Sequence, residues 1–339
     1  MTLMTTGSGR HMASEIAQAP GVFARAAAAD HSRDIDALGL GDVRAFYTVA
    51  RGSSDAAAQV LAYEFMRELA VPVTSFPPSV FSIGAGVGMA GAAAIAISQS
   101  GASDDLVRTI AGIRDRGGKT VAITNTAGSK VESVAQLTLP IGAGPELAVP
   151  ATKTVIGSIA SGMALLAAMK PAYRDRITAA IRAFADLDGR SHPDADHLRA
   201  AFLRSSHVYV IGRDTGFGAA QEVALKIKET CAIHAEAFSG SEVLHGPLQL
   251  ATRPLLVLML DTGQPSIQES LDLAETRFRQ TPATVLRLRT EDVGVAGLSP
   301  AAAAAILLYL VYPVILSTAV ALGHDPDRPA TLSKVTATT

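Results

Sequence analysis

YTVARGSSDAAAQVLAYEF (residues 47–65) and YVIGRDTGFGAAQEVALKI (residues 209–227) align without a gap at an offset of 162, matching at Tyr, Arg, Ala-Ala-Gln and a later Ala. Each reads as a short apolar strand, a turn of Gly, Ser or Asp, and an alanine-rich helix. Such a unit appearing twice is an internal repeat. Further strands fit both copies: AAAIAIS (92–98) and KTVAIT (119–124) after the first, PLLVLML (254–260) and ATVLRLR (283–289) after the second. Helical segments such as DDLVRTIAGIRDRG (104–117) lie between them. Alternating strands and helices predict parallel sheets wrapped by helices, and the repeat predicts two of them. The polar, turn-rich DLDGRSHPDAD (186–196) is the expected link between the halves.

The 339 residues suffice for two ordinary domains. Lys+Arg is 29 and Asp+Glu is 31, so the net charge of −2 gives no electrostatic footprint for nucleic acid. Charged residues are only 18%, in keeping with α/β sheets covered on both faces. The one cysteine, Cys231, precludes an internal disulfide and agrees with a reducing, cytoplasmic compartment. No basic n-region followed by an apolar h-region opens the chain, so secretion is not indicated. The start, MTLMTTGSGRHMAS, is poor in apolar residues and reads as frayed, with GSGRHMAS resembling an expression remnant and order beginning near Ser14. From Val293 to Gly323 there is no charge, and AAAAAILLYLVYPVILSTAVAL is long enough to span a bilayer. Its flanks are Glu291, Asp292, His324 and Asp325 rather than Lys or Arg, which favours a helix hidden in a core or subunit interface over a membrane span.

SQSGAS (98–103) directly follows an apolar strand and directly precedes a helix, so backbone N–H groups and the helix dipole face whatever lies above the strand end. Ser98, Ser100 and Ser103 add hydroxyls, a combination suited to a phosphate monoester. Taken alone, an ordinary N-capped turn is the better account. The second copy shifts the balance, because DTGQPS (261–266) puts an aspartate in the corresponding place, where an anion is unwelcome. ARGSSD (50–55) is a second strand-to-helix turn, and Ser54 either lines the same pocket or merely caps the helix. GPELAVPATKT (144–154) reads as a loop before a helix, with Thr152 near its cap.

KIKETCAIHAEAF (226–238) gathers ionisable groups among small apolar residues. On a helix Glu222, Lys226 and Glu229 are spaced i, i+4 and i+7 and share one face within about 60°. A solvated ion pair remains open for Glu222 and Lys226. Glu229 runs into apolar sequence, where partial desolvation would tune it as a general base. His234, His245, Glu236 and Glu242 leave structural and functional accounts level. No spacing resembles a zinc site. Lys334, near the terminus, is either solvated or, beneath a covering pocket, a Schiff-base amine.

In order along residues 35–339, ARGSSD, SQSGAS, GPELAVPATKT, EVALKIKETCAIHAEAF, LHGPLQL and RPATLSKVT resemble the sugar isomerase (SIS) family. The likeness is to the isomerase half of glutamine:fructose-6-phosphate aminotransferase and its stand-alone relatives. It implies two tandem flavodoxin-like three-layer α/β/α domains related by the repeat: an N-terminal segment (1–34), a phosphate-binding domain (35–190), a catalytic domain (191–329) and a tail (330–339) carrying Lys334. By position, Ser54, Ser98, Gln99, Ser100 and Ser103 hold the sugar phosphate, and Val149 and Ala151 touch the sugar. Glu229 is the base between C1 and C2, supported by Lys226 and Glu222; His245 opens the ring, and Lys334 forms an imine with the ketose. Two departures stand out: Ala102-Ser103 replaces a Glu-Thr pair of the family loop, and Pro150-Ala151 replaces an Ala-Ser pair.

No amidotransferase domain with a nucleophilic cysteine precedes these motifs, so glutamine is not expected as the ammonia source. The resemblance then implies deamination of glucosamine 6-phosphate to fructose 6-phosphate, with a sugar 6-phosphate substrate, no cofactor, no metal, no membrane and no nucleic-acid partner. It also implies a homodimer in which His245 reaches the neighbour's pocket. The alternatives are a ketose/aldose phosphate isomerase, a glutamine-independent aminotransferase-like or fructosamine-phosphate deglycase enzyme and, from another class, a sugar-phosphate-binding regulatory module.

Overall fold

The computed structural model describes residues 7–187 and 189–334. In chain order, α1 (Arg10–Ala27) and α2 (Ser32–Leu38) lead into β1 (Ala45–Val49), α3 (Gly52–Leu69), β2 (Val73–Ser75), α4 (Ser79–Ser82) and β3 (Ala92–Ser98). Then follow α5 (Asp104–Asp115), β4 (Lys119–Thr124), α6 (Lys130–Val134), β5 (Leu137–Pro140), α7 (Lys153–Met169) and α8 (Arg174–Asp186). The second copy comprises α9 (Ala195–Arg204), β6 (His207–Gly212), α10 (Thr215–Cys231), β7 (His234–Ser239), β8 (Leu256–Asp261), α11 (Pro265–Arg279), β9 (Thr284–Arg289) and α12 (Pro300–Ala321).

The strands form two parallel sheets, of order β2-β1-β3-β4-β5 and β7-β6-β8-β9. The first is the flavodoxin order, and the second repeats it less the last strand. The expected pair of tandem α/β/α domains is what the chain builds. Contacts divide it into two units. A five-stranded unit holds Pro20–Gly144 and Thr154–Arg182, while a four-stranded unit holds the chain up to Ala19, Pro145–Lys153 and Ala183–Lys334.

Burial explains the strand sequences. Every residue of AAAIAIS in β3 is buried, as a central parallel strand covered on both faces requires. KTVAIT is β4 as expected, whereas β8 and β9 begin at Leu256 and Thr284, slightly inside the expected ranges. The predicted link falls between α8 and α9.

In the four-stranded unit, α12 packs on α9 and α10, and its residues from Pro300 to Tyr312 are all buried. Ser299 caps it by accepting the Ala302 N–H, with Pro300 in the first turn. It is long and apolar enough to cross a membrane, yet most of it is buried within the protein.

The chain start requires a correction. Helix α1 begins at Arg10, and Met12 is fully buried. The Gly9 N–H donates to Asp325 Oδ1, and the His11 and Met12 N–H groups donate to the Asp327 carboxylate at 2.9 and 2.8 Å. Residues 8–13 are thus a tied-down element of the four-stranded unit rather than a frayed end. Residues 1–6 lie outside the described chain.

Candidate active site

In the five-stranded unit the strand order reverses between β1 and β3, the switch point beyond whose carboxyl ends doubly wound sheets bind ligands. SQSGAS and ARGSSD are the two loops that leave those ends. Ser98 Oγ accepts the Gly101 N–H at 3.0 Å and Ser100 Oγ accepts the Ala102 N–H at 3.3 Å, which curls the loop back on itself. Ser103 is the N-cap of α5 without a side-chain capping bond, so its hydroxyl is not spent on the helix. Ser54, in the first turn of α3, and Gln99 are half-buried. Gly101 has φ +60°, and a Cβ there would stand 2.3 Å from Ser129 Oγ. Only glycine fits that turn.

The matching place in the four-stranded unit is filled from within. Val49 pairs with Ala96 and Ile211 with Met259, so the repeat sets Asp261 at the register of Ser98. Burial disfavours the Asp261 carboxylate. Hydrogen bonds from the Gly263 N–H, Gln268 and Arg287 override that and hold its pKa below the ordinary range. An internal carboxylate occupies the position that, in the first copy, is left to hydroxyls.

Helix α10 carries the ionic cluster. Asp214 caps it by accepting the Thr215 N–H, and Ala232, in the left-handed region, ends it. Glu222 and Lys226 are fully buried, which removes the solvated-pair alternative. Lys226 Nζ lies 3.6 Å from Glu222 Oε1 and donates a hydrogen bond to Glu229 Oε2. Burial by itself would depress the Lys226 ammonium; Glu222 and Glu229 outweigh it and hold the pKa above the ordinary lysine value. Glu229 is half-buried and borders a cavity of about 680 Å³, which Leu225, Lys228, Thr230, His324 and Arg328 also line. The cluster is therefore anchored in the core and opens to the outside at Glu229.

Lys334 lies in the same unit. Its Nζ donates to Ala148 O at 2.6 Å and is 3.5 Å from Glu146 Oε2. Glu146 is buried and accepts the Thr152 N–H at 3.0 Å, bracing the loop that carries the half-buried Val149 and Ala151. From α1, Glu15 accepts the Leu147 and Ala148 N–H groups, and burial raises its pKa.

His245 is placed elsewhere. It is exposed, in a 3-10 turn over Glu242–His245, and lines a cavity of about 380 Å³ with Leu244, Leu248, Gln249, Thr252 and Thr281. That cavity shares no lining residue with the one at Glu229. His234, Glu236 and Glu242 are exposed. Cys231 is buried, and desolvation pushes its thiol up to about 11. Among the described residues no group of three or more His, Cys, Asp or Glu could hold a metal ion.

Three participants were not singled out as site residues from the sequence: Glu146, Tyr312 and Glu15. Tyr312, buried on α12, donates to Glu222 Oε1 at 3.1 Å. Its only signal was a phenol in an otherwise uncharged run, and Glu15 lay next to a segment read as frayed.

The SIS domain model matches residues 40–168 and 201–287, one stretch in each copy of the repeat. The chain belongs to the SIS domain family. Among curated relatives of this SIS chain, the glutamine–fructose-6-phosphate aminotransferase of Methanothermobacter thermautotrophicus is 34% identical over 312 residues, covering 87% of this chain and 52% of that protein. Its counterpart in Pyrobaculum aerophilum is 30% identical over 98% of this chain and 58% of the relative. The SIS chain thus spans about half the length of the curated relatives it matches. A solved structure from Silicibacter pomeroyi, provisionally named a phosphosugar isomerase, is 31% identical with a TM-score of 0.80, covering 94% of this chain and 99% of that one. Glucosamine-6-phosphate deaminase of Thermotoga maritima shares the fold at 20% identity, with a TM-score of 0.75 over 97% of this chain and all of that one (100%).

Proposed function

We propose that this SIS chain is a sugar-phosphate isomerase that deaminates glucosamine 6-phosphate to fructose 6-phosphate and ammonia. The observation that carries this is Glu229, a half-buried carboxylate at a pocket edge whose partner is the fully buried ammonium of Lys226. A carboxylate so placed is held in orientation by that ammonium, ready to accept and return one proton.

In the open-chain sugar, Glu229 removes the proton from C2. The C–H electron pair becomes a C1–C2 double bond and the aldehyde oxygen takes up a proton. Glu229 then delivers its proton to C1 as the enol collapses, leaving a ketimine at C2. Lys334 adds to that ketimine as a free amine, ammonia leaves, and water hydrolyses the lysine imine to the ketose. The sum is amino-sugar phosphate plus water to ketose phosphate plus ammonia. Glu146, 3.5 Å from Lys334 Nζ, is the group to take the lysine proton. These steps call for neither metal nor redox cofactor.

Ser54, Ser98, Gln99, Ser100 and Ser103 are assigned to the phosphate, and Val149 and Ala151 to the sugar. Lys226 and Glu222 support the base. Ring opening is assigned to His245 from a second copy of the chain, in keeping with its exposure away from the Glu229 cavity, so a homodimer with a shared site forms part of the proposal. The assignment of the N-terminal segment, phosphate-binding domain, catalytic domain and tail to these roles is proposed with it.

The test is product analysis with glucosamine 6-phosphate, scoring ammonia and fructose 6-phosphate together. Stoichiometric release of both is expected. Ketose–aldose interconversion without ammonia would replace the deaminase by an isomerase, and binding without turnover would make the chain a sensor of sugar phosphate.

A further inference from the structure

The ionic cluster has a member that the proposed chemistry does not use. Helix α12 is uncharged along its whole length and mostly buried, yet at Tyr312 it sets a phenol against the cluster on α10. Tyr312 is fully buried and donates to Glu222 Oε1 at 3.1 Å. The same Glu222 oxygen lies 3.6 Å from Lys226 Nζ, which hydrogen-bonds Glu229. The groups thus form a line: phenol, carboxylate, ammonium, carboxylate.

We propose that Tyr312 is a positioning residue that sets the basicity of Glu229 through Glu222 and Lys226. Two carboxylates compete for one ammonium, and the arrangement is asymmetric, with direct contact to Glu229 and a longer approach to Glu222. The phenol donates to the same Glu222 oxygen that the ammonium approaches, so the ammonium stays on Glu229. Without that donor, Glu222 draws the ammonium toward itself and the Glu229 carboxylate loses part of its compensating charge. The charged groups facing the line are Glu222, Lys226 and Glu229 on α10 and Glu146 on the loop before α7, with Lys334 paired to Glu146. Burial raises the phenol pKa well above its ordinary value and the carboxylates raise it further, so Tyr312 remains a donor throughout the working range.

This inference rests on Glu229 being the proton-transfer base, so the experiment separates the two. Solvent deuterium exchange into C1 and C2 of the bound sugar phosphate is followed against pH for the wild type, Glu229→Gln, Tyr312→Phe, Glu222→Gln and the Glu222→Gln/Tyr312→Phe pair. In Tyr312→Phe the acid limb of the profile is expected to rise by about one pH unit, a tenfold loss of rate on that limb, with KM unchanged. Removing the phenol in the Glu222→Gln background should move the limb no further, because no anion is left for the phenol to hold. Incorporating 3-fluorotyrosine at position 312 keeps the shape and makes a stronger donor, so the limb should move to lower pH. Exchange that persists in Glu229→Gln, or is absent from the wild type, refutes the base assignment itself. If Glu229→Gln is silent while both Tyr312 substitutions leave the limb in place, Tyr312 is only a packing residue and the inference falls.

Discussion

Replacing Lys226 by Met would put the buried cluster under direct strain. Methionine keeps the length and apolar stem of the lysine and removes the charge. Glu222, fully buried, then loses the ammonium 3.6 Å away, and Glu229 loses its hydrogen-bonded partner. Breaking a buried pair by removing one partner costs about 3–5 kcal/mol, because the remaining charge is left in the core. At roughly 2–4 °C per kcal/mol for 150–250 residues, the melting temperature should fall by about 6–20 °C. Removing both charges in Glu222→Gln/Lys226→Met should regain more than half of that loss, since a neutral amide has a far smaller desolvation penalty. The sign with pH follows from the folded Lys226 pKa lying above the unfolded one. Its contribution is complete below the unfolded lysine value of about 10.4 and is lost as pH rises through the higher folded value. The gap between wild type and Lys226→Met should therefore hold across neutral pH and close only in strong alkali. Thermal melts by circular dichroism of the two single variants and the double variant measure this. A Lys226→Met protein melting with the wild type would refute the reasoning, as would a double variant no more stable than Lys226→Met.

Glu229→Gln is expected to lower turnover by about 10²–10⁴-fold while binding of sugar phosphate survives, because a general base acts chiefly in the transition state; titration calorimetry beside a turnover assay decides it, and near-normal turnover removes the assignment. Changing Ser98 and Ser100 to Ala should raise KM more than it lowers kcat, since phosphate contacts exist in ground and transition states alike. Equal affinity for phosphorylated and unphosphorylated sugar would remove the phosphate site. Mixing inactive His245→Ala with inactive Glu229→Gln should restore part of the activity through heterodimers that hold one intact pocket, whereas a mixture that stays inactive would place each site within one chain.

The fold was legible because its signals are local. The alanine-rich β3 and the paired strand–turn–helix units follow from periodicity and buried parallel strands, and the Asp261 register confirms that the copies diverged at the strand end. The charge spacing on α10 was likewise visible from three residues on one helix. What lay hidden were partnerships between residues far apart in the chain. Glu15 meets Leu147 and Ala148, Tyr312 meets Glu222, and the amides of His11 and Met12 meet Asp327. Backbone N–H groups leave no mark in composition, which is why the polar start of the chain read as loose. His245 shows the converse: its loop chemistry was plain in the sequence, but spacing along a chain does not say which pocket a loop serves.

The bonds from Gly9, His11 and Met12 to Asp325 and Asp327 link residues 316 or 315 positions apart. On a ribosome this fixes an order of events. The five-stranded unit, whose described residues run to Arg182, can leave the exit tunnel and fold while the first turn of α1 still waits for its carboxylates. Chain-closure entropy grows only slowly with length, so the wait weakens the finished contact little, but it delays it until Asp325 and Asp327 have been made. The loop with Val149 and Ala151, and Lys334 beyond it, is braced by that late contact through Val149 N–H to Asp327 O. The proposed imine lysine is thus set in place late, and a nascent chain stalled even a few residues short of Asp327 would carry a folded five-stranded unit before the Val149 loop and Lys334 were braced.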